Sequence, residues 1–362
     1  MSVIKSIKLT NFRNYKNFHI PLGQTTVLVG PNGIGKTNII EAISMLSYTK
    51  SFRAKDEKNL IMENESFAQI IGKLKDNKKM IFVISKNNTN IKKQVSIDHI
   101  KKKLTEVVGK IKIVLFSPES LKIIIGPPTE RRRFIDIICS QVDKKYLDSL
   151  MQFRHILKQR NSLLKHICLH RNNIYDQLDF WDKKLIKYCT YIIKQRLKTI
   201  KFFEKQTQEI YSHIFPHKKV ILKIIYDPKI PDIDKIDELI ASARNREIEA
   251  QKTLYGPHLD DIKILINSQT ASDVSSRGEI RSIIFCLKLA EIKYLESLNN
   301  KSSNILLLLD DIFSELDFLR RKEVLNLVKD KQTIITTTDA ESINPSNNNI
   351  KIINLEQYGK NQ

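Results

Sequence analysis

Residues 30–37, which read GPNGIGKT, constrain the fold of this chain more than any other segment. They match the whole phosphate-binding pattern G-x-x-x-x-G-K-[ST]. The apolar residues 26–29 before them predict a buried strand, and residues 38–43 after them predict a helix. In such a loop the glycines let backbone N–H groups turn inward around a phosphate, and the helix N-terminus adds partial positive charge. The segment therefore predicts a strand–loop–helix unit that binds a nucleotide.

Two side chains of this loop have predicted roles in binding ATP and Mg²⁺. Lys36 is expected to reach the β- and γ-phosphates, and the Thr37 hydroxyl is expected to coordinate Mg²⁺. The alternative is a glycine-rich turn without a ligand, which the full match and the flanking elements disfavour. The predicted nucleotide-binding residues of this segment are Gly30, Pro31, Asn32, Gly33, Ile34, Gly35, Lys36, Thr37 and Asn38.

An acidic pair that follows an apolar strand predicts the second half of the site. Residues 305–309 read ILLLL and are followed by Asp310 and Asp311. A regular strand sends successive side chains to opposite faces, so the two carboxylates converge only if the strand bends where it ends. We expect Asp310 to hold Mg²⁺ and Asp311 to be catalytic by polarising the attacking water. Lys36, at the phosphates, is the second residue expected to be catalytic. The alternative is that the pair merely caps the next helix.

A second phosphate-binding surface is predicted upstream of the acidic strand. Ser276 and Gly278 lie at the start of a helix predicted over residues 279–298, where a hydroxyl, a glycine backbone and a helix N-terminus come together. Serine–glycine turns occur at the start of many helices, so the motif alone is weak evidence for a phosphate site. Its position upstream of the acidic strand is the main support for the prediction. Residues 314–317, which follow the acidic pair, form a predicted turn that could meet a partner subunit.

Composition favours a polyanionic partner and excludes a membrane-embedded chain. The formal net charge is +21, which would attract nucleic acid and steer its association. An AT-rich coding sequence would also enrich lysine, isoleucine and asparagine, so charge alone leaves both readings open. No apolar run approaches a membrane span and the N-terminus lacks a signal-peptide pattern, so we expect a soluble cytoplasmic protein. Four scattered cysteines are expected to be reduced core thiols: Cys139, Cys168, Cys189 and Cys286.

The order of predicted elements indicates an α/β fold interrupted by a helical insert. Residues 1–128 and 216–362 carry strand patterns and are predicted as two halves of one domain, whereas residues 129–215 have helical spacing. Two long helices with a polar turn near residues 171–173 predict an antiparallel hairpin. Its second helix has an apolar seam that we interpret as core packing, formed by Leu178, Trp181, Leu185, Tyr188 and Ile192.

The chain resembles the ABC-type ATPase heads of the SMC, Rad50 and RecF group, and the RecF family most of all. The resemblance runs nearly end to end and is far more specific than the nucleotide motifs alone. It rests on residues 8–15, 30–38, 49–53, 116–119, 130–136, 256–261 and 308–317. The fold it implies is an α/β, ABC-type P-loop ATPase head with an inserted antiparallel helical hairpin.

The resemblance also implies how such a head works. ATP would be sandwiched between two copies, with the P-loop of one facing residues 276–279 of the other. Arg13 is implied as a phosphate contact and Asp317 as part of the dimer-facing loop. The ATP-bound homodimer would close on duplex, gapped or single-stranded DNA, and weak, DNA-stimulated hydrolysis would release it. The implied setting is DNA replication, recombinational repair and the SOS response, with RecO and RecR mediators helping to load recombinase at gaps.

Some positions depart from the wider ABC pattern. Glu279 stands where many relatives have glutamine, and Asp311 replaces the usual catalytic glutamate, which suggests slow turnover. No histidine follows the strand predicted over residues 333–336, so Thr337 or Thr338 is the only guess for the switch residue. No glutamine can be matched to the Q-loop.

Other function classes fit the sequence less well. A transporter-type ATPase would carry a glutamate after Asp310 and a switch histidine. An SMC- or Rad50-like structural clamp remains the main alternative, but the hairpin spans only a few tens of ångströms at about 1.5 Å per residue. A nuclease of the OLD class lacks room, because only about fifty residues follow Asp310. Basic clusters at residues 101–103 and 131–133 are candidate DNA backbone contacts, although the arginines could equally pair with carboxylates.

Overall fold

A computed structural model describes residues 3–87, 90–170, 175–298, 305–312, 330–338 and 350–359. The chain divides into two compact units. Unit 1 comprises Met1–Ser120 with Glu291–Gln362, and unit 2 comprises Leu121–Ala290. This division differs from the three predicted segments, because residues 216–290 belong with the helical hairpin and not with the nucleotide-binding half. The reason is packing: two strands from that stretch lie against the hairpin helices.

Unit 1 contains an antiparallel sheet of six strands, labelled here in chain order over the whole molecule. The strand order is β2-β1-β4-β5-β6-β7. The bounds are β1 Ile4–Phe12, β2 Tyr15–Pro21, β4 Phe67–Leu74, β5 Lys79–Asn87, β6 Asn90–Ile97 and β7 Ile100–Lys102. One face of this sheet is apolar and buried, whereas the other carries lysines and other polar side chains together with half-buried Ile71, Ile81 and Val83.

The second sheet of unit 1 is parallel and carries the predicted nucleotide motifs. Its order is β14-β3-β13-β12-β8, with bounds β3 Thr25–Val29, β8 Lys112–Phe116, β12 Ile305–Asp310, β13 Gln332–Thr337 and β14 Ile350–Asn354. Helix α1, Lys36–Tyr48, follows β3 and contacts strands of both sheets. Because all five strands run the same way, the carboxyl ends of β3, β13 and β12 meet at one edge.

Unit 2 is mostly helical and includes a small antiparallel sheet. Its strands are β9 Leu222–Asp227, β10 Asp261–Ile266 and β11 Gln269–Thr270, in the order β11-β10-β9.

The remaining α-helices of the described residues, from both units, are α2 Leu104–Val107, α3 Lys122–Ile125, α4 Pro128–Val142, α5 Lys144–His170, α6 Tyr175–Ile214, α7 Ile236–Glu249, α8 Ala271–Val274, α9 Arg277–Ser297 and α10 Leu355–Gly359. Strand β9 packs on α6 and strand β10 packs on α4. The sequence also predicts a helix near residues 320–328, which lies outside the described residues.

The first arm of the hairpin differs from its prediction, because it consists of two helices. Helix α4 ends at Val142 and α5 begins at Lys144, because Asp143 takes an extended backbone, with φ −129° and ψ 101°. The Asp143 carboxylate accepts a 3.0 Å hydrogen bond from the Tyr146 backbone N–H and so caps α5. The apolar spacing continues through this break, which is why periodicity did not predict it.

Two arginines are buried in unit 2 and join its elements. Arg160 of α5 is fully buried; its Nε donates to Asp182 Oδ1 at 2.6 Å and its Nη2 to Glu247 Oε2 at 2.6 Å. Arg196 of α6 binds Asp136 of α4 and the Pro257 carbonyl oxygen. Because each guanidinium has several hydrogen-bonded partners, its burial is compensated. These arginines tie α4, α5, α6 and α7 to the segment that leads into β10.

Two arginines of the basic cluster at residues 131–133 pair with other groups of unit 2, which is the alternative that the sequence left open. Arg131 forms a bidentate pair with Asp261, at 2.8 and 3.0 Å, and Arg132 Nη1 donates to the Asp260 carbonyl oxygen at 2.6 Å. Both side chains therefore hold α4 against β10 and are poor candidates for DNA contacts.

Two further sequence expectations can be compared with the described residues. The four cysteines are all free thiols; Cys168 is half-buried and the other three are buried. Among the described helices, none combines the length and the apolar composition needed to cross a bilayer.

Candidate nucleotide-binding site

Backbone geometry explains the glycines of the P-loop. Gly33 and Gly35 have φ of 86° and 113°, values that side chains with a Cβ rarely adopt. A Cβ on Gly35 would also lie 2.6 Å from the Tyr15 hydroxyl. Helix α1 starts directly after Gly35, so the loop ends on its N-terminal N–H groups. Pro31, Asn32 and Gly33 are exposed at the top of this loop.

Lys36 is held inside the loop by two carbonyl groups. Its Nζ donates to the Gly30 oxygen at 2.5 Å and to the Pro31 oxygen at 3.0 Å. Burial lowers the pKa of the Lys36 ammonium, while the charges of Asp311 and Asp310 act in the opposite direction. The Lys36 ammonium is thus bound by the P-loop and influenced by the acidic pair. From this position it can contact a phosphate bound in the loop.

Thr37 and Asp310 come together as the sequence predicts. Thr37 Oγ1 donates to Asp310 Oδ1 at 3.0 Å, although the residues are 273 positions apart. Asp310 is buried, and burial raises the pKa of its carboxyl group, against hydrogen bonds from Thr336 and Thr37 that lower it. A hydroxyl and a carboxylate are the hard oxygen ligands that Mg²⁺ prefers. The chemistry of these two donors therefore fits the predicted magnesium ion.

Asp311 lies where the strand bends. Its φ is 51°, in the left-handed region, directly after β12 ends at Asp310. The Asp311 backbone N–H donates to Thr336 Oγ1 at 2.9 Å, which holds the bend against β13. The two side chains therefore do not follow the regular alternation between opposite faces of the sheet. Such a break is what the two carboxylates would need in order to approach the same nucleotide.

A buried carboxylate organises the other side of the loop. Glu41 of α1 is fully buried and accepts bidentate hydrogen bonds from Arg13, at 2.8 and 2.9 Å, with further bonds from Arg53 and Ser51. Burial alone would raise the pKa of Glu41, but the bonds from Arg13 and Ser51 and the charge of Arg53 hold it below the ordinary value. Arg13, predicted as a phosphate contact, is therefore anchored on Glu41 beside α1, and Arg13 Nη1 also donates to the Asn59 carbonyl oxygen at 2.8 Å.

Asn38 and Asn14 link this cluster to the P-loop. Asn38 accepts a hydrogen bond from Arg53 and donates to Asn14 Oδ1 at 2.6 Å. Asn14 in turn donates to the Ile34 carbonyl oxygen at 3.0 Å. An open pocket of about 1130 Å³ borders Arg13, Asn14 and Asn38. Asn14 and Asn38 thus connect the P-loop and Arg53 to one edge of this pocket, whose remaining border is formed mainly by residues 56–66.

The predicted signature segment forms the N-terminal cap of α9. Ser276 N and Oγ donate to Glu279 Oε2 at 2.9 and 3.0 Å, a reciprocal capping arrangement. The bonds from Ser276 lower the pKa of Glu279. Ser276, Arg277 and Gly278 are all exposed. A Cβ on Gly278 would meet nothing within 4 Å, and its φ lies outside the left-handed region.

Several residues of the site were not predicted from the sequence. Thr336 donates to Asp310 Oδ1 at 2.8 Å and was missed, although its neighbours Thr337 and Thr338 were considered. The signal was parallel pairing, because Thr336 lies opposite Asp310 in the β12–β13 ladder. Thr337 is buried and its carbonyl accepts from Gly30 N at 3.4 Å, whereas Thr338 is exposed. Glu41 and Arg53 carried no motif of their own. Asp317 lies outside the described residues.

Comparison with known proteins decides the family. A family model described as "RecF/RecN/SMC N terminal domain" matches residues 3–361. The chain is 40% identical over 339 residues to "DNA replication and repair protein RecF" of Agathobacter rectalis, covering 93% of this chain and 92% of that protein. The chain belongs to the RecF family.

Solved structures agree with this membership. A structure of "the recombination mediator protein RecF-ATP in RecFOR pathway" superimposes with a TM-score of 0.86 at 31% identity, covering 94% of this chain and 93% of the other. An Smc head domain from Pyrococcus furiosus matches with a TM-score of 0.51 at 18% identity, over 99% and 98% of the two chains. The RecF resemblance thus extends over the whole chain, whereas the Smc likeness establishes the shared fold. The predicted ABC-type ATPase head is confirmed.

Proposed function

We propose that this chain is an ATP-dependent DNA-binding protein of DNA replication and recombinational repair. It binds ATP, pairs with a second copy and closes on DNA, and slow hydrolysis to ADP and phosphate releases the DNA. Membership of the RecF family supports the setting, since a RecF relative is described with ATP as a recombination mediator. The bond between Thr37 and Asp310, beside a complete P-loop, is the observation that carries the ATPase assignment.

The residues have separate roles in handling ATP. Backbone N–H groups of residues 33–37 bind the phosphates and Lys36 neutralises their charge. Thr37 and Asp310 would hold Mg²⁺, which would supply neutralisation of phosphate charge. Arg53 and Asn38, which share a hydrogen bond, border the site with Arg13. The open pocket beside Asn14 is large enough for the nucleoside end of ATP.

Asp311 is our candidate for orienting the attacking water. Its carboxylate is one methylene shorter than a glutamate at the same position, so the reach to that water is poorer. The bend held by Thr336 fixes the backbone of Asp311 but does not lengthen its side chain. Hydrolysis is therefore expected to be slow and to act as a timer for DNA release.

Gly278 supports a sandwich of ATP between two copies. A glycine near the start of a helix costs about 1 kcal/mol relative to alanine. Neither the backbone conformation nor the space around Gly278 within this chain requires a glycine. A close approach by a ligand held on another copy would require it, because a Cβ would then obstruct the phosphate. When the phosphate arrives, the Ser276 hydroxyl exchanges its bond to Glu279 for one to the phosphate, to which the α9 N-terminus also offers N–H groups.

The antiparallel sheet of unit 1 is our candidate face for the DNA backbone. Each of its six strands carries at least one lysine, and none carries an aspartate or glutamate. The pairing register places exposed His19 opposite Lys8 and several exposed lysines on the outer face: Lys8, Lys73, Lys79, Lys92 and Lys101. Such a face binds phosphates irrespective of sequence.

The partner proteins follow from the family setting. We propose that RecO and RecR act with this protein to load recombinase at single-stranded gaps. A structural clamp of the SMC or Rad50 kind is the alternative. Helix α5 has 27 residues, or about 40 Å at 1.5 Å per residue, which suits a local lever better than a long tether.

A DNA-binding titration tests the proposal. Duplex, gapped and single-stranded DNA are titrated with and without ATP, and the complex is sized at the same time. We expect ATP to tighten duplex and gapped DNA binding, with a steep loss of affinity as salt rises. The double variant Lys8→Gln/Lys79→Gln should weaken binding and flatten the salt dependence, whereas exposed Lys235→Gln in unit 2 should not. ATP-independent binding, or a sheet variant that binds normally, would contradict the proposal.

A further inference from the structure

The second hairpin helix has an aromatic face that its seam pattern did not predict. We expected Trp181 and Tyr188 to pack in the core, but both are only half-buried, while Leu178, Leu185 and Ile192 are buried. Phe180 is 51% exposed. The Phe180 and Trp181 rings lie edge to face with centroids 5.2 Å apart. Together with Tyr191, these rings form what we call the aromatic stripe: Phe180, Trp181, Tyr188 and Tyr191.

Lysine side chains are interleaved with these rings. Lys184 Nζ lies 4.1 Å from the Phe180 centroid and 5.7 Å from that of Trp181. Lys187 lies 5.6 Å from the Tyr188 ring, and Lys145 of α5 lies 4.5 Å from the Tyr191 ring. Exposed cation–π contacts are weak, on the order of 1 kcal/mol or less. An incoming anion can therefore draw these ammonium groups away and free the ring faces.

The charge along this part of α6 has one sign. Between Phe180 and Lys201 the only carboxylate is Asp182, which is buried and bound by Arg160 and Arg244. The lysines of the same stretch are all exposed, namely Lys183, Lys184, Lys187, Lys194, Lys198 and Lys201. The accessible surface of this stretch is thus basic and aromatic, without an accessible acidic side chain.

These two properties select a particular kind of ligand. Single-stranded nucleic acid has both phosphates for the lysines and unpaired bases whose faces can stack on the rings. Duplex DNA offers only the phosphates, because its bases are already stacked on one another. An acidic protein segment would satisfy the lysines but would gain little from partly exposed ring faces. The combination therefore favours a single strand.

We propose that the aromatic stripe and its lysines form a binding track for single-stranded DNA. From Phe180 to Lys201 the helix rises about 30 Å at 1.5 Å per residue, which is long enough for several nucleotides. This inference rests on the proposed DNA-binding function and adds a second surface for the unpaired strand of a gap. The duplex would still bind the lysine face of the six-stranded sheet in unit 1.

The chain contains its own reporter for this track, because Trp181 is its only tryptophan. The full-length protein is titrated with oligothymidylate and, separately, with a blunt duplex of equal length. Stacking on Trp181 should quench its fluorescence with oligothymidylate, whereas the duplex should leave the fluorescence nearly unchanged. Photocross-linking with a halogenated pyrimidine strand should label peptides of α6.

Variants then separate this track from the duplex site. Phe180→Ala and Tyr188→Ala should each weaken oligothymidylate binding about fivefold or more and leave duplex binding unchanged. Lys184→Gln should weaken it and reduce its salt dependence. Ile125→Ala and Lys252→Gln, two exposed positions of unit 2 outside the stripe, serve as matched controls and should bind normally. Thermal unfolding of each variant checks that the hairpin is intact.

The outcomes distinguish the two proposals. A protein that binds no DNA at all refutes the proposed function. A protein that binds duplex with ATP but shows no Trp181 quenching, or whose folded stripe variants bind oligothymidylate normally, refutes only the track. Equal quenching by duplex and single strand also refutes it. Loss of binding to a partner protein, with unchanged affinity for oligothymidylate, would reassign the stripe to that partner.

Discussion

The Thr336 hydroxyl donates a 2.8 Å hydrogen bond to Asp310 Oδ1, the same oxygen that accepts a bond from Thr37. Thr336 Oγ1 also accepts from the Asp311 backbone N–H at 2.9 Å. One hydroxyl on β13 therefore positions both members of the acidic pair. Since β13 lies between β3, which leads into the P-loop, and β12, which leads into the acidic pair, the middle strand sets the distance between these two segments.

Replacing Thr336 should loosen the predicted magnesium site. Thr336→Val keeps the volume and removes the hydroxyl, so we expect the magnesium concentration for half-maximal ATPase activity to rise about tenfold or more. ATP binding without magnesium should change little. Thr336→Ser, which keeps the hydroxyl, is the matched control. An unchanged magnesium dependence in Thr336→Val would show that β13 does not position Asp310.

Two glycine-to-alanine changes should have opposite consequences. In Gly35→Ala the new Cβ would meet the Tyr15 hydroxyl at 2.6 Å and the backbone would be strained. ATP affinity of the monomer should therefore fall at least about tenfold.

In Gly278→Ala nothing within the chain is obstructed, so monomer binding of ATP should be normal while ATP-dependent pairing is lost. Equilibrium ATP binding and sedimentation measure both; normal pairing by Gly278→Ala would contradict the close-approach argument.

Arg160 should be essential for the stability of unit 2. Arg160→Leu would remove the guanidinium from the buried carboxylate of Glu247 and leave that of Asp182 with Arg244 alone. Breaking a buried pair in this way typically costs about 3–5 kcal/mol. Arg154 lies nearby on α5, but it is 56% exposed and 3.8 Å from Asp136, so Arg154→Ala should cost less than about 1 kcal/mol. Urea unfolding of the full chain compares the two. A small loss in Arg160→Leu would mean that the pairs contribute little.

His258 should make stability depend on pH. Burial lowers its pKa from 6.5 to about 4, helped by the charges of Arg132 and Arg196. Within the described part of the chain its Nδ1 is buried without a hydrogen-bond partner. As pH falls from about 6.5 to about 4, His258 becomes protonated in the unfolded chain but stays neutral in the folded chain. The free energy of unfolding therefore decreases.

The contribution of His258 should amount to at most about 3 kcal/mol. His258→Phe keeps a ring against Phe153, whose centroid lies 5.7 Å away, and removes the titration. As pH falls through that window, the wild type should therefore lose more unfolding free energy than the variant does. Parallel pH profiles would contradict the assignment.

The sequence predicted what depends on local patterns. The P-loop and the acidic pair follow from contiguous residues, and the α/β fold follows from the order of strand and helix patterns. It did not predict Thr336 or Glu41, because their roles come from contacts between distant segments. Thr336 needs the β12–β13 register, and Glu41 needs Arg13 and Arg53 from two other loops.

The hairpin illustrates a different limit. Apolar spacing placed its helices correctly but could not detect the break at Asp143, because a capped restart of the helix preserves the spacing. The same spacing assigned Trp181 and Tyr188 to the core. A position that faces the core and a position beside it at the surface differ by only part of a helical turn. Apolar spacing alone therefore cannot tell which of the two a large aromatic side chain occupies.

The central claim is that ATP is bound between two copies of this chain, and a mixing experiment tests it most directly. Lys36→Met should fail to pair because its P-loop cannot bind ATP properly, and Ser276→Arg should fail because its signature segment is obstructed. Mixed together with ATP and magnesium, they should form a heterodimer with one intact site, which combines the P-loop of the Ser276→Arg copy with the signature of the Lys36→Met copy. Sedimentation should detect this heterodimer only in the mixture. Nucleotide-dependent dimers of Ser276→Arg alone, or a mixture that remains monomeric while the wild type pairs, would contradict the account.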